Sequence, residues 1–451
     1  MSKAENRDFY KFYGISELKH HFLTPVADGC GSNIIFKSEL PQAVLKEDHS
    51  ASSFMVLAKF GTGKTLLRCQ YFETLQPNNY FKILILNKQI NEYFERFVTE
   101  TSTVGKNCKG KDCLEGWTKN EFAQLILSVL VTEFVDAFQK EQFVVPNISI
   151  EEKIQLIIII CFYYNDQGVS KLEYFVNSFF KKSNKSMYKT NEANVTIGEQ
   201  NKRVEKPLLI QLKKDLMKFN ILRKDYKKLE LLLSVVENEE FQAEVAKKNM
   251  FDNIINDLID FTLFMKNEMK KPVVFIIDGI DENQYFFQHN VINKRSLELF
   301  YRSSVAQEIL SSVMAQNFYL SLFYPQLDGI NIRDAIIRND KFPIYTIEWN
   351  TRSLINYGDY LLQEMNKNAS DTHCRPLPDF KTLINYHDTH IADMINEIKT
   401  PRALHYFMTA LIREMNGCAS ESTEPFIATY RDVKMAFKNS NQYMSQRQTA
   451  D

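Results

Sequence analysis

The residues with the most distinctive chemistry lie in one short segment, Ala58 to Thr65, whose sequence is AKFGTGKT. The segment differs from the phosphate-binding pattern G-x-x-x-x-G-K-[ST] only by alanine at its first position. Gly61 and Gly63 would let the backbone turn its N–H groups towards a phosphate, where a Cβ atom would be too close. Lys64 would bring a positive charge to the terminal phosphates of a nucleotide. The predicted phosphate contacts are Lys59, Phe60, Gly61, Thr62, Gly63, Lys64, Thr65 and Leu66.

An acidic segment far downstream supplies groups that could complete such a site. The apolar run Val273 to Ile277 is followed at once by Asp278, and Asp281 and Glu282 come one turn later. Magnesium prefers hard oxygen ligands, so we expect the Thr65 hydroxyl and Asp278 to hold Mg²⁺ with bound ATP. Asp281 or Glu282 would orient and deprotonate the attacking water. The alternative is that DGIDE is only an acidic turn that caps the next helix.

The apolar runs predict an α/β fold with five buried strands. Each run is apolar on both faces, as is typical of interior strands in a sheet covered by helices. A helix is predicted directly after Thr65, which would point the positive end of its dipole at a phosphate. The predicted strands are Phe54 to Leu57, Lys82 to Leu86, Val273 to Ile277, Phe318 to Phe323 and Ile344 to Trp349.

Composition shifts divide the chain into six predicted parts. The alternation of strand and helix patterns is interrupted by a long stretch in which helical periodicity dominates. The parts are a lead-in at 1–50, the first part of the nucleotide-binding core at 51–113, a helical insertion at 114–269, the second part of the core at 270–350, a helical lid at 351–440 and a flexible tail at 441–451.

AKFGTGKT followed by FIIDGIDE resembles the P-loop ATPases of the ASCE and AAA+-like class, nearest to the STAND and origin-recognition-like branches. The resemblance implies a parallel sheet with strand order 5-1-4-3-2 and a C-terminal helical lid. It also implies that Arg402, in TPRAL, reaches the γ-phosphate from the lid; the alternative is that Arg402 is a surface arginine at the start of a helix. Tyr324 or Ser321 would occupy the sensor position after the fourth strand. The motifs do not single out an arginine finger, although four arginines lie after the acidic strand, where one could be presented to a neighbouring subunit: Arg295, Arg302, Arg333 and Arg338.

Composition and charge narrow the classes of function. The formal net charge is -1, with 55 basic and 56 acidic residues, so no global field attracts nucleic acid or membrane. Seven cysteines without metal-ligand spacing are typical of a reducing compartment. The amino-terminal residues lack the apolar core of a signal peptide, and the longest apolar run is too short for a membrane span. These features predict a soluble intracellular protein without membrane contact.

The leading functional hypothesis is a Mg²⁺-dependent ATPase that acts as a conformational switch or an assembly module. An alternative is an ATP-binding scaffold with little hydrolysis. The lysine-rich segment Lys213 to Lys228 could contact nucleic acid, although a solvated helix face is favoured. A homo-oligomer or a protein partner would bind through the insertion, which we expect to form one helical layer with the lid. Zinc at Cys108 and Cys113, and metal at His387 and His390, are weaker hypotheses.

Overall fold

A computed structural model of the chain describes most of the regions that carry the predicted motifs. The described residues are 42–45, 48–101, 114, 116–140, 148, a few positions between 152 and 175, 254–288, 291–327, 341–367, 376–417 and 427–448. The predicted lead-in (apart from its last residues), the basic segment Lys213 to Lys228, Cys108 and Cys113 lie outside them. None of the described helices combines the length and the hydrophobicity that a membrane span requires.

The protein has an α/β fold around one parallel sheet of five strands, as the sequence predicted. Each predicted core strand is present, with bounds that differ by at most two residues. The strands of the chain are β1 (Phe54–Ala58), β2 (Phe81–Ile85), β3 (Val273–Ile277), β4 (Phe287–Gln288), β5 (Val291–Ile292), β6 (Tyr319–Pro325) and β7 (Ile344–Ile347). All neighbours in the five-stranded sheet pair in parallel.

The order of strands in this sheet is β2-β3-β6-β1-β7. When all seven described strands are numbered, this order differs from the expected 5-1-4-3-2. The difference arises because the antiparallel pair β4–β5, which the sequence pattern did not predict, is counted between β3 and β6. Counted among the sheet strands alone and read from β7, the order is 5-1-4-3-2. The register pairs Ala58 with Pro325 and Ile85 with Ile277, so these strands end at the same edge.

Helices surround the sheet and form the C-terminal part of the chain. They are α1 (Lys64–Thr74), α2 (Asn87–Thr101), α3 (Lys119–Gln139), α4 (Ile254–Asn267), α5 (Lys294–Ser304), α6 (Gln307–Met314), α7 (Thr351–Lys367), α8 (Phe380–Leu383), α9 (Thr389–Glu397), α10 (Pro401–Gly417) and α11 (Tyr430–Gln448). We call the part from α7 to α11 the C-terminal helical region. Short 3-10 turns lie at Gln42–Val44 and Ile280–Glu282.

The two faces of the sheet pack into different hydrophobic clusters because successive side chains on a strand point to opposite sides. On β1, Phe54 and Val56 pack with Leu67 of α1, whereas Met55 and Leu57 face the other cluster. That second cluster contains most of α3, which is buried on nearly all sides. The described helices of the predicted insertion, α3 and α4, therefore form a layer of the sheet core.

The C-terminal helical region has a hydrophobic cluster of its own. Leu354, Phe380, Ile391, Leu404 and Val433 all belong to it, and α3 and α4 do not contribute to it. The expectation that lid and insertion form one helical layer is wrong for the described residues. The apolar face of α10 packs mainly on α11, whereas α3 packs on the sheet, so each set of helices buries its hydrophobic side separately.

Candidate functional site

Residues 58–65, which we call the glycine loop, connect β1 to α1 at the C-terminal edge of the sheet. Gly61 and Gly63 have positive φ angles of 75° and 99°, a region that residues with a Cβ atom rarely adopt. The hydroxyl of Thr62 donates a hydrogen bond of 2.8 Å to the carbonyl oxygen of Lys59. Helix α1 starts at Lys64, so its free N–H groups and its dipole face this loop.

Two residues from the C-terminal half of the chain hold the outer side of the glycine loop. The backbone N–H of Arg402, in the first turn of α10, donates to the carbonyl oxygen of Gly61 at 3.2 Å. The indole Nε1–H of Trp349 donates to the carbonyl oxygen of Thr62 at 2.9 Å. Trp349 also packs against both the cluster around α1 and the cluster of the C-terminal helical region. The loop is therefore tied directly to those helices.

Residues 278–282, which we call the acidic turn, follow β3 at the same edge of the sheet. The N–H of Asp278 donates to the carbonyl oxygen of Ile85 at 3.0 Å, so the turn continues the pairing of β3 with β2. Gly279 has a φ of 80°, and a Cβ atom there would lie 3.1 Å from the backbone nitrogen of Asn87. The side chain of Asn87 donates to the carbonyl oxygen of Glu282 at 3.1 Å. These contacts fix where the carboxylates point.

Two ion pairs join the glycine loop and α1 to the acidic turn. Lys64 Nζ lies 2.9 Å from Asp281 Oδ2, and the Lys64 side chain is only 6% exposed. One helical turn later, Arg68 Nε lies 3.4 Å from Asp278 Oδ2, and both of these side chains are almost fully buried. Buried charges need partners of this kind because leaving water is costly. The second oxygen, Asp278 Oδ1, is buried without a well-formed hydrogen bond from the described residues.

The acidic turn carries carboxyl groups that bind protons more tightly than usual. Burial raises the pKa of Asp278, Lys64 and Arg68 lower it, and Asp281 raises it further. Partial burial of its carboxyl group also raises the pKa of Glu282, and the nearby charges of Asp281 and Asp278 add to the rise. Crowded carboxylates at a strand end are typical of sites that bind cations or transfer protons.

The structure places the other predicted site residues as follows. Lys59 is exposed, Thr65 is partly exposed in the first turn of α1, and Leu66 packs on the cluster around α1. The ring of Phe60 contacts Phe287 in β4 with centroids 5.8 Å apart. Among the described residues, no three His, Cys, Asp or Glu side chains form a metal-binding group. A magnesium ion here would therefore depend on phosphate and water oxygens for most of its ligands.

The chain matches no protein-family model, no curated protein and no solved structure. The resemblance to P-loop ATPases therefore rests on the two motifs and on their positions in the fold.

The end of β6 corrects one expectation. Ser321 pairs with Phe54 in the sheet, and its hydroxyl donates to the carbonyl oxygen of Ser52, at the opposite end of β1 from the glycine loop. Ser321 is therefore too far along the strand to sense a nucleotide. Tyr324 is at the correct end, but its ring is fully buried and stacks on Tyr301 at 4.4 Å.

The described arginines that could act as a finger, and the two histidines of HDTH, are exposed on helices or at a helix start. Arg302 is exposed and pairs with Glu298 in α5, and Arg295 is exposed on the same helix. His387 and His390 are exposed, and Asp388 between them caps α9 by accepting a hydrogen bond from the N–H of His390. The HDTH segment thus starts a helix. The two remaining arginines, Arg333 and Arg338, lie outside the described residues.

Sequence reasoning missed two residues of the site, Arg68 and Trp349. The sequence did contain a signal for Arg68: it is a cation one turn after Lys64, and residues four apart on a helix are neighbours on the same face. Nothing local predicted the second, since Trp349 and Thr62 are 287 residues apart. The sequence predicted water activation by Asp281 or Glu282, but the structure pairs Asp281 with Lys64.

Proposed function

We propose that this protein binds ATP with Mg²⁺ between the glycine loop and the acidic turn, and hydrolyses it as a nucleotide-controlled conformational switch or assembly module. The observation that carries the proposal is the meeting of Lys64 with the acidic turn, across a distance of 217 residues in sequence. A turn that only connects a strand to a helix does not require a buried ammonium beside carboxylates. A phosphate-binding site does require this arrangement, because it needs cations and metal ligands together.

Different residues at this edge of the sheet would bind the phosphates and the magnesium ion. The backbone N–H groups between Phe60 and Thr65 and the ammonium of Lys64 would hold the phosphates. Thr65 and Asp278 would hold the magnesium ion, which neutralises charge on the phosphates. The fit is supported by the buried Asp278 Oδ1, which lacks a well-formed partner among the described residues, and by the two glycines whose φ angles leave the cradle open.

Glu282 is the better candidate for general base. Asp281 is engaged by Lys64, whereas Glu282 makes no ion pair among the described residues and its carboxyl group has a raised pKa. A base with a pKa raised towards neutrality transfers protons more effectively near neutral pH. The positive charge of Arg402 lowers the pKa of Glu282 slightly against this rise, so Arg402 is near enough to act on this carboxylate electrostatically.

The contacts on the outer side of the loop support the switch. Phosphates would bind the N–H groups of the glycine loop, while Arg402 and Trp349 bind the carbonyl oxygens of Gly61 and Thr62. One short piece of backbone would then be shared between nucleotide and C-terminal helical region. A change in the loop on binding would move its carbonyl oxygens and so alter the fit of those helices.

Calorimetry with ATP and Mg²⁺ tests the binding. We expect Lys64→Ala to weaken binding about 10- to 100-fold, the scale of a hydrogen bond to a charged group. Lys119→Ala is a matched control, because Lys119 is also the first residue of a helix and is paired with an acid, Glu308, that belongs to neither the glycine loop nor the acidic turn. Absence of ATP or GTP binding by the folded wild-type protein would overturn the proposal.

Turnover separates the two forms of the proposal. We expect Glu282→Gln to bind ATP normally and to lose about 100-fold or more in hydrolysis rate, because general-base catalysis contributes on that scale. A second candidate, an ATP-binding scaffold, is favoured by the end of β6, where the Tyr324 ring is buried on Tyr301. Tight binding by wild type without phosphate release would select the scaffold.

Fluorescence of Trp349 tests the switch. The chain has two tryptophans, so in a Trp117→Phe background Trp349 is the only source of tryptophan emission. We expect its emission to change when ATP and Mg²⁺ are added, because its indole is bonded to Thr62 in the loop. The same background with Lys64→Ala should show no change at that nucleotide concentration. Unchanged emission with demonstrated binding would contradict coupling through this contact.

A further inference from the structure

The carboxylate of Asp281 is held in place beside the ammonium of Lys64. The 3-10 turn Ile280–Glu282 that carries Asp281 is closed by the N–H of Glu282 bonding to the carbonyl oxygen of Gly279 at 3.2 Å. The Asn87 side chain donates a hydrogen bond to the carbonyl oxygen of Glu282, the last residue of the turn. Asp281 is 20% exposed and lies 2.9 Å from Lys64 Nζ. The pair is therefore built into the fold at the mouth of the site.

The two ion pairs differ in what a nucleotide would do to them. Arg68 and Asp278 are both nearly inaccessible, so their contact lies beneath the site. Lys64 is the first residue of α1 and belongs to the loop that would bind phosphates. Its single positive charge is already balanced by Asp281, and an incoming phosphate would meet the negative charge of that carboxylate. Asp281 thus opposes the ligand that Lys64 attracts.

We propose that Asp281 is a resident counter-ion that competes with the phosphates of the nucleotide for Lys64, and thereby limits nucleotide affinity and promotes release. This inference rests on the proposed function and refines it, because it removes Asp281 from the catalytic residues and makes it a positioning residue. When phosphate is absent, Asp281 holds the ammonium in the loop. When phosphate leaves, the same carboxylate takes the ammonium back.

The consequence distinguishes this role from ordinary structural support. Removal of a residue that merely supports the site weakens binding, whereas removal of a competitor strengthens it. Asp281→Asn keeps the size of the side chain and removes its charge, so Lys64 would be free to bind phosphate. We expect the dissociation constant for ATP with Mg²⁺ to fall about tenfold, the scale of one charge-assisted hydrogen bond.

The test compares full-length variants by calorimetry with ATP and Mg²⁺ and by stopped-flow release of a fluorescent ATP analogue. Glu282→Gln is the matched control, since it removes one negative charge from the next residue of the same turn, and Glu282 makes no ion pair with Lys64 among the described residues. Asp281→Glu keeps the charge and is expected to stay close to wild type. We expect slower release and tighter binding for Asp281→Asn than for Glu282→Gln.

The outcomes separate the inference from the proposed function. If wild type binds ATP and Asp281→Asn binds it equally or more weakly, or no better than Glu282→Gln, the counter-ion role is wrong while the nucleotide site stands. If neither wild type nor Asp281→Asn binds ATP or GTP, both proposals fail. Binding by Asp281→Asn that clearly exceeds that of wild type, with a lower release rate, supports both.

Discussion

The two turns at the C-terminal edge of the sheet are built alike but are held by different parts of the chain. Each follows a buried strand, and each needs a glycine with positive φ. At Gly61 the atom that a Cβ would meet is Arg402 Cβ at 2.6 Å, in the C-terminal helical region. At Gly279 it is the backbone nitrogen of Asn87 at 3.1 Å, at the start of α2 in the sheet core.

This difference separates a fixed half of the site from an adjustable half. The acidic turn is bonded to β2 and α2, which share one hydrophobic cluster with the sheet. The glycine loop takes its outer contacts from Trp349 and Arg402, and the cluster behind Arg402 is a separate one. Damage to the acidic turn should therefore affect the stability of the whole core, and damage to the glycine loop should mainly affect its attachment to the helices.

The largest expected effect is on the fixed half. Arg68→Gln would leave Asp278 buried without its charge partner, which typically costs about 3–5 kcal/mol of the free energy of unfolding. Arg302→Gln is the matched control, because it breaks an exposed pair with Glu298 in α5 and should cost about 0.5 kcal/mol or less. Urea unfolding measures both. Equal losses would show that the buried pair does not fix the acidic turn.

A smaller effect is expected on the adjustable half. Gly61→Ala would force a Cβ atom against Arg402 and also place alanine at positive φ. Gly116→Ala is the matched control, since Gly116 has a φ of 90° with nothing within 4 Å of its added Cβ. Both should lose about 1 kcal/mol from the backbone conformation, and Gly61→Ala should lose about 1–3 kcal/mol more from the clash.

The fluorescence of Trp349 tests whether the loss of stability in Gly61→Ala is confined to the contact between the glycine loop and the C-terminal helical region. Because the clash pushes α10 away from the loop, the emission of Trp349 should shift in Gly61→Ala, in a Trp117→Phe background. It should stay unchanged in Gly116→Ala. An unchanged spectrum with a large loss of stability would mean that the loop is as firmly part of the core as the acidic turn.

The smallest effect is the pH dependence that Glu282 gives to the fixed half. Its raised pKa means that the folded state binds the proton more tightly than the unfolded state. The resulting stability is fully present below the ordinary value of 4.5 and is lost as the pH rises through the raised pKa. Relative to Glu282→Gln, wild type should therefore lose less than about 1 kcal/mol between acidic and neutral pH, because the carboxyl group is only partly buried and water screens its charge.

Thermal or urea unfolding at a series of pH values measures this difference between wild type and Glu282→Gln. A difference that grows in favour of wild type as the pH rises would contradict the sign, and would mean that Glu282 gains a cationic partner in the folded state.

The sequence by itself determined the local features of this protein. Apolar runs on both strand faces predicted the five buried strands, because strands inside a helix-covered sheet have no polar side. The spacing of Gly61, Gly63 and Lys64 predicted a loop with unusual backbone angles that leads into a helix. These properties depend on residues that are close in sequence, so their pattern is visible without the fold.

Only the tertiary structure decided which distant groups meet. The pairing of Lys64 with Asp281, of Arg68 with Asp278 and of Thr62 with Trp349 joins residues more than 200 positions apart. Each pairing follows from the order of the strands and from the packing of the C-terminal helical region, which place their ends at one edge. From the sequence, a charged group or an indole N–H shows only that it will need a partner when buried. The packing of the sheet and helices decides which residue that partner is.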